Sequence, residues 1–250
     1  MNYYSIYILI LILIIVIYIS SKKKYVEPFE DKKDTGFVIN LDKRTDRWEQ
    51  IQKNFETYPF FLQRFSAIKH DRGWIGCGLS HMRVVQMAKE ANMPYVLLIE
   101  DDCYPTYYMK YWGDIKRWLH TNKDKWDIFL GGNCYYNYIS IFENASDTIK
   151  EVCKINDSID LYYTKLMCTQ FLYINSIAYD KYLEWEVNKN GPIDMYPDKI
   201  GLRTISCVPF ITIQGNDHSD IRGYNMDYNK VFSKSEASMK IAKINTKSCF

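Results

Sequence analysis

The clearest pattern in the chain is Tyr95-Val96-Leu97-Leu98-Ile99, an apolar run that ends at once in Glu100-Asp101-Asp102. Apolar and β-branched residues without alternation predict a strand buried on both faces, as in a sheet covered by helices. Gly36-Phe37-Val38-Ile39-Asn40-Leu41 predicts a first strand of the same kind, and Phe60 to Ser66 a second. Between them, Thr45 is placed to cap a helix running to about Phe55. The stretch Gly73-Trp74-Ile75-Gly76-Cys77-Gly78-Leu79-Ser80-His81 leads into a helix that runs to about Ala91. Thr106 to His120 carries Tyr108, Tyr111, Ile115, Trp118 and Leu119 as an apolar stripe and predicts another helix. Trp126 to Leu130, Gln170 to Ile174 and Arg203 to Val208 read as strands, the last halted by Pro209. Ser176 is placed to cap a helix to about Val187, whereas residues 139–160 show no clear period and read as irregular or short β. Strands alternating with helices predict an α/β fold built on a parallel sheet.

The first residues read differently. Tyr3 to Ile19 is apolar and uncharged, and Lys22-Lys23-Lys24 follows. At about 1.5 Å per residue this is near the lower limit for crossing a bilayer. No basic region precedes it and no small-x-small site follows cleanly, so a single membrane anchor over 1–21 is favoured over a cleaved signal peptide. Lysines on its C-terminal side put the rest of the chain in the cytoplasm by the positive-inside rule. Residues 22–35 then read as a charged stalk, 36–221 as the folded domain, and 222–250 as a polar, loosely ordered tail.

With 250 residues, the chain has room for one α/β domain with a full core. A formal charge of +2 gives no field pointing to a nucleic-acid partner. Seven cysteines without a CxxC pair argue against a disulfide framework or a zinc site, so buried or free thiols are expected. Asn144-Ala145-Ser146 and Asn156-Asp157-Ser158 match the glycosylation sequon, which matters only in a secretory lumen. The 22 tyrosines are explained by A/T-rich codon usage as well as by sugar stacking.

In open α/β sheets, ligands bind beyond the carboxyl ends of the strands, where Glu100, Asp101 and Asp102 fall. Three carboxylates there repel one another unless solvated or neutralised. They suit a hard divalent cation that also binds substrate phosphates. The alternative is an acidic helix start with Asp102 as its cap. Arg44 and Arg47 lie three apart at the end of the first strand, where guanidinium forks suit a nucleotide diphosphate. Ordinary surface arginines are the alternative. Glycines before His81 permit close backbone approach, and helix amides there can face an anion. His81 itself is a ligand, a proton carrier or a packing histidine, the last being the plainer reading. Gly191-Pro192-Ile193-Asp194 is a turn presenting one carboxylate, and Gln214 to Asp220 a polar loop.

Four segments in this order resemble glycosyltransferase family 25, the group of bacterial lipooligosaccharide and procollagen galactosyltransferases. They are Val38 to Arg47, Ile75 to His81, Leu98 to Asp102, and Pro192-Ile193-Asp194 with His218-Ser219-Asp220. The resemblance covers about Gly36 to Ile221 and is strongest up to Cys103. It implies a GT-A-like fold, a Rossmann-type domain with a mostly parallel central sheet, and inverting transfer of a hexose, galactose or glucose, from a UDP-sugar to a hydroxyl of a glycan or protein acceptor. It also implies a divalent metal such as manganese. Glu100 and Asp102 stand at the two ends of the GT-A fold's Asp-x-Asp element. On that reading Asp102 and His218 hold the metal, and Asn40, Arg44, Arg47, Ser80, His81, Glu100 and Asp101 meet the donor. Asp194 is the implied general base. Animal relatives act in the secretory lumen, against the cytoplasmic side that the lysines indicate. Two other classes fit the acidic strand end: a metal-dependent nucleotidyl or phosphoryl transferase, and a catalytically silent membrane-anchored binding protein.

Overall fold

The computed structural model describes residues 34–134, 150–216 and 226–243. The expected anchor over 1–21 and most of the stalk lie outside the described residues. Among those described, no helix is long and apolar enough to cross a membrane. The chain divides between Lys32 and Lys33, and the second unit holds every described element.

Strand β1 (Asp34–Asn40) begins two residues before Gly36, because Asp34 is held from the side. Its carboxylate accepts from Trp112 Nε1 at 2.9 Å and from Lys116 Nζ at 2.8 Å. Helix α1 (Thr45–Phe55) leads to β2 (Phe60–Ser66), and α2 (Gly73–Glu90) leads to β3 (Tyr95–Glu100). Both β2 and β3 pair with β1 in parallel, one on each side. Short β4 (Cys103–Pro105) and a 3₁₀ segment (Tyr107–Tyr111) precede α3 (Trp112–Thr121).

Side chains along the central strands alternate between two cores, as the pleat requires. Val38, Leu97 and Ile99 pack with Ile51 and Phe55 of α1 and with Trp112, Ile115 and Leu119 of α3. Phe37, Ile39, Val96 and Leu98 pack with Val84, Val85 and Ala88 of α2. The result is a helix-sheet-helix sandwich.

β5 (Ile128–Leu130), β6 (Lys150–Asn156), β7 (Ile159–Tyr163), β8 (Phe171–Asn175) and β9 (Thr204–Val208) extend the sheet. Its order is β2-β1-β3-β8-β5-β9-β7-β6. The α/β class holds, and six of these eight strands run one way. The sheet is nevertheless mixed: β8 and β7 oppose the rest, so β8 is antiparallel to both β3 and β5. All five residues of β8 are buried. A short buried strand, apolar up to Asn175, carries no mark of its direction in the sequence.

Three further expectations change. Of the stretch 139–160 without a clear period, the described part from Lys150 on forms the β6–β7 hairpin. The predicted helix from Ser176 breaks into a 3₁₀ turn (Ser176–Ala178), capped by the Asn175 side chain rather than by Ser176, and one helical turn (Tyr179–Tyr182). Within the polar tail, helix α4 (Tyr228–Lys243) forms because Tyr228, Val231, Phe232 and Met239 bury against Tyr162, Val208 and Phe210. Two of the seven cysteines are also not free thiols: Cys134 and Cys168 form a disulfide.

Candidate functional site

The connection from β1 to β2 runs to one side of β1, and that from β2 to β3 returns to the other. Such a reversal leaves a crevice beyond the carboxyl ends of the two strands, where open α/β sheets bind ligands. A cavity of about 150 Å³ lies there, lined by Ile39 and Leu41 from the end of β1, by Glu100, Asp101 and Asp102, and by the first turns of α2.

Each of the three acidic residues has a different environment. Asp101 is clasped: Arg47 Nη1 donates to its Oδ1 at 2.8 Å, and Asn40 Nδ2 to its Oδ2 at 2.8 Å. Burial pushes its carboxyl up, against the pull of Arg47. Asn40 is itself fixed, donating to Arg44 O and accepting from Arg64 Nε at 2.8 Å.

Glu100 is satisfied on one oxygen. Thr169 Oγ1 donates to Oε1 at 2.6 Å, His81 Nε2 lies 3.0 Å away and Cys77 Sγ 3.7 Å away. Burial opposes the charge, but the hydrogen bonds from His81 and Thr169 outweigh it and hold the carboxyl low.

Asp102 differs from both. Its Oδ2 accepts from Gln214 Nε2 at 2.8 Å, and its backbone oxygen from Gly215 N at 2.8 Å. Pairing of β10 (Thr212–Gln214) with β4 sets that contact, with Gln214 opposite Cys103. Oδ1 of Asp102 is buried without a hydrogen-bond partner. Burial, with Glu100 and Asp101 repelling it, pushes the carboxyl up to about 7. An orphaned buried carboxylate oxygen beside a second acid fits a hard divalent cation, which prefers oxygen ligands.

The other residues expected at the site fall into four groups. Arg44 is committed to Asp46, its fork bonding that carboxylate at 2.8 Å, while its backbone oxygen holds Asn40. Ser80 and His81 sit on the face of α2 toward the sheet, both buried. Ser80 accepts from Ile68 N at 2.8 Å and donates to Gly76 O at 2.7 Å, tying α2 to the chain after β2. His81 Nδ1 faces Tyr182 Oη at 3.3 Å. Asp194 is half-buried on the 3₁₀ turn Ile193–Met195, close enough for its charge to join burial and Glu100 in pushing the Cys77 thiol up. His218 lies outside the described residues, beyond Gln214.

Gly76 and Gly78 serve close packing, while Gly73 and Gly76 also line the crevice. They lie inside α2, which starts at Gly73. A Cβ on Gly76 would stand 2.4 Å from Ile68 O, and one on Gly78 2.4 Å from the Trp185 ring.

Cys77, Thr169 and Gln214 go unassigned in the sequence. Cys77 carries a local signal, since it lies four residues before His81 and so on the same helix face. Thr169 and Gln214 reach the acidic residues only through β8 and β10, with no local mark.

No family model matches the chain, and no curated protein matches it. Solved structures do align with it. A197 from STIV is 13% identical with a TM-score of 0.43, covering 74% of this chain and 86% of its own. A glycosyltransferase involved in the glycosylation of the major capsid of PBCV-1 is 10% identical with a TM-score of 0.38, covering 69% of this chain and 80% of its own. At TM-scores below 0.5, neither likeness bears on the chemistry of this chain.

Proposed function

We propose that the protein is a sugar transferase that moves a hexose from a UDP-sugar to a hydroxyl of a glycan or protein acceptor. The observation that carries this reading is the orphaned Oδ1 of Asp102, buried at the β1–β3 crevice beside Glu100. The choice of donor and reaction comes from the resemblance of the Val38–Arg47, Ile75–His81 and Leu98–Asp102 segments to glycosyltransferase family 25. Asp102 and Glu100 would hold the divalent cation, manganese on that resemblance, which supplies positive charge to the donor diphosphate and the departing nucleotide.

The chain's own residues divide the rest. Arg47 holds Asp101, so only part of the acidic cluster faces the cation, and the guanidinium stays 3.7 Å from Asp102. Leu41 and Ile39 give the crevice an apolar wall. Asp194 takes the proton of the acceptor hydroxyl as its oxygen bonds to the anomeric carbon and the bond to the diphosphate oxygen breaks. That is one displacement, with inversion. The Cys134–Cys168 disulfide supports an oxidising compartment for the domain, on the lumenal side of the proposed anchor.

Incubating the full chain with UDP-galactose or UDP-glucose and manganese should release UDP, and a chelator should stop it. Asp102→Ala should lower the rate by roughly a hundredfold or more. Pyrophosphate instead of UDP would assign the protein to nucleotidyl transfer.

A further inference from the structure

Below the oxygen-lined part of the crevice lies a group of mixed chemistry. One ligand atom from each of Cys77, His81 and Glu100 falls within 4.8 Å of the other two, and His81 Nε2 lies 3.0 Å and Cys77 Sγ 3.7 Å from Glu100 Oε1. In a tetrahedral zinc shell, ligand atoms about 2.0–2.3 Å from the metal lie about 3.3–3.5 Å from each other. The two contacts to Oε1 bracket the spacing such a shell requires. The three residues come from a rigid frame, Cys77 and His81 from one face of α2 and Glu100 from the end of β3.

Two further observations single the group out. Oε1 of Glu100 has three donors converging on it, since Thr169 also bonds it at 2.6 Å. Thr169 and Tyr182 stand where supporting groups stand in built metal sites, one on the carboxylate and one on the far nitrogen of the imidazole. Cys77 and Glu100 line the crevice, so an ion has a path in and a fourth position facing the cavity.

We propose that Cys77, His81 and Glu100 form a second cation site, selective for a thiophilic divalent metal of the zinc class. This site shares Glu100 with the oxygen position at Asp102, but its thiolate and imidazole give it a different chemistry that does not rest on the transferase reading. A thiolate and an imidazole favour zinc or cobalt, whereas carboxylates and waters suit manganese and magnesium. On binding, the thiol proton leaves to solvent and sulfur bonds the metal. The imidazole proton moves to Nδ1, where Tyr182 Oη accepts it. Two negative ligands then neutralise the divalent ion.

Cobalt(II) reports on this directly, because a thiolate ligand gives a sulfur-to-metal charge-transfer band in the near ultraviolet. The full chain, stripped with chelator and given one equivalent of cobalt, should show that band. Cys77→Ser should abolish it, and Asp102→Asn should keep it. Absence of the band, or its survival in Cys77→Ser, overturns the proposal. A measurement on the unaltered chain stands beside these: zinc should slow alkylation of Cys77, read by peptide mass spectrometry, at least tenfold, while manganese should not. Equal alkylation with zinc and without it overturns the proposal as well.

Discussion

Arg47 and Asp101 meet at 2.8 Å where β1 and β3 end, with side chains only 10% and 11% exposed. The middle member of the Glu100-Asp101-Asp102 cluster is thus committed to the protein, and its neighbours are left to face the crevice. Removing one partner of a buried pair strands the other charge, at about 3–5 kcal/mol. Arg47→Met should therefore lose about 3 kcal/mol in urea unfolding, and adding Asp101→Asn should recover part of it. Independent, additive losses would show that the two side chains do not support each other.

Asp102 should behave in the opposite way. Its folded carboxyl lies at about 7, above the ordinary value near 4, so the fold prefers it neutral. Stability from this group is greatest below about pH 4 and is lost as the pH rises toward 7. Asp102→Asn removes the buried charge and should melt higher than the parent at pH 8 without added metal. The gain, up to about 4 kcal/mol on that shift, should shrink to nothing near pH 4. A variant less stable than the parent at pH 8 contradicts this placement of Asp102.

Much of this is legible in the chain. Phe60–Ser66 and the end of β3 at Glu100 follow from apolar runs and their acidic stop; α1 also forms where expected, but Thr45 is its first residue rather than its cap, and Arg44 at the N-cap makes no side-chain capping bond. The acidic cluster is legible as a site because position at a strand's carboxyl end is a local property. What each acid does is not. Arg47 reaches Asp101 across 54 residues, Thr169 reaches Glu100 across 69, and Gln214 reaches Asp102 across 112. Only the folded sheet brings these groups together. The glycines of α2 mislead for a related reason: the close approach they permit is real, but the partners are Ile68 and Trp185 rather than a ligand.

Those glycines give a third prediction. Gly78→Ala drives a methyl group into the Trp185 ring, which is buried and has little room to retreat. Overpacking of this kind costs about 1–3 kcal/mol. The melting temperature should fall accordingly, and an unchanged value would mean that α2 and Trp185 are not in contact.

The disulfide gives a fourth. Cys134 and Cys168 are 34 residues apart, and Cys168 adjoins Thr169, which bonds Glu100. Closing a loop of that length stabilises the fold by about 3–4 kcal/mol in the chain-entropy account. Reduction should lower the urea midpoint, and Cys134→Ser should reproduce the loss without reductant. A midpoint indifferent to both would exclude the bond from the folded protein in solution.

The proposed function stands on Asp102, which at the crevice between β1 and β3 would take a divalent cation that receives the diphosphate of a nucleotide-sugar. The decisive experiment is calorimetric titration of UDP into the full chain, with manganese and with chelator, for the parent and for Asp102→Ala. Binding is expected only when manganese and Asp102 are both present. Equal binding in chelator, or in Asp102→Ala, would contradict the proposed role.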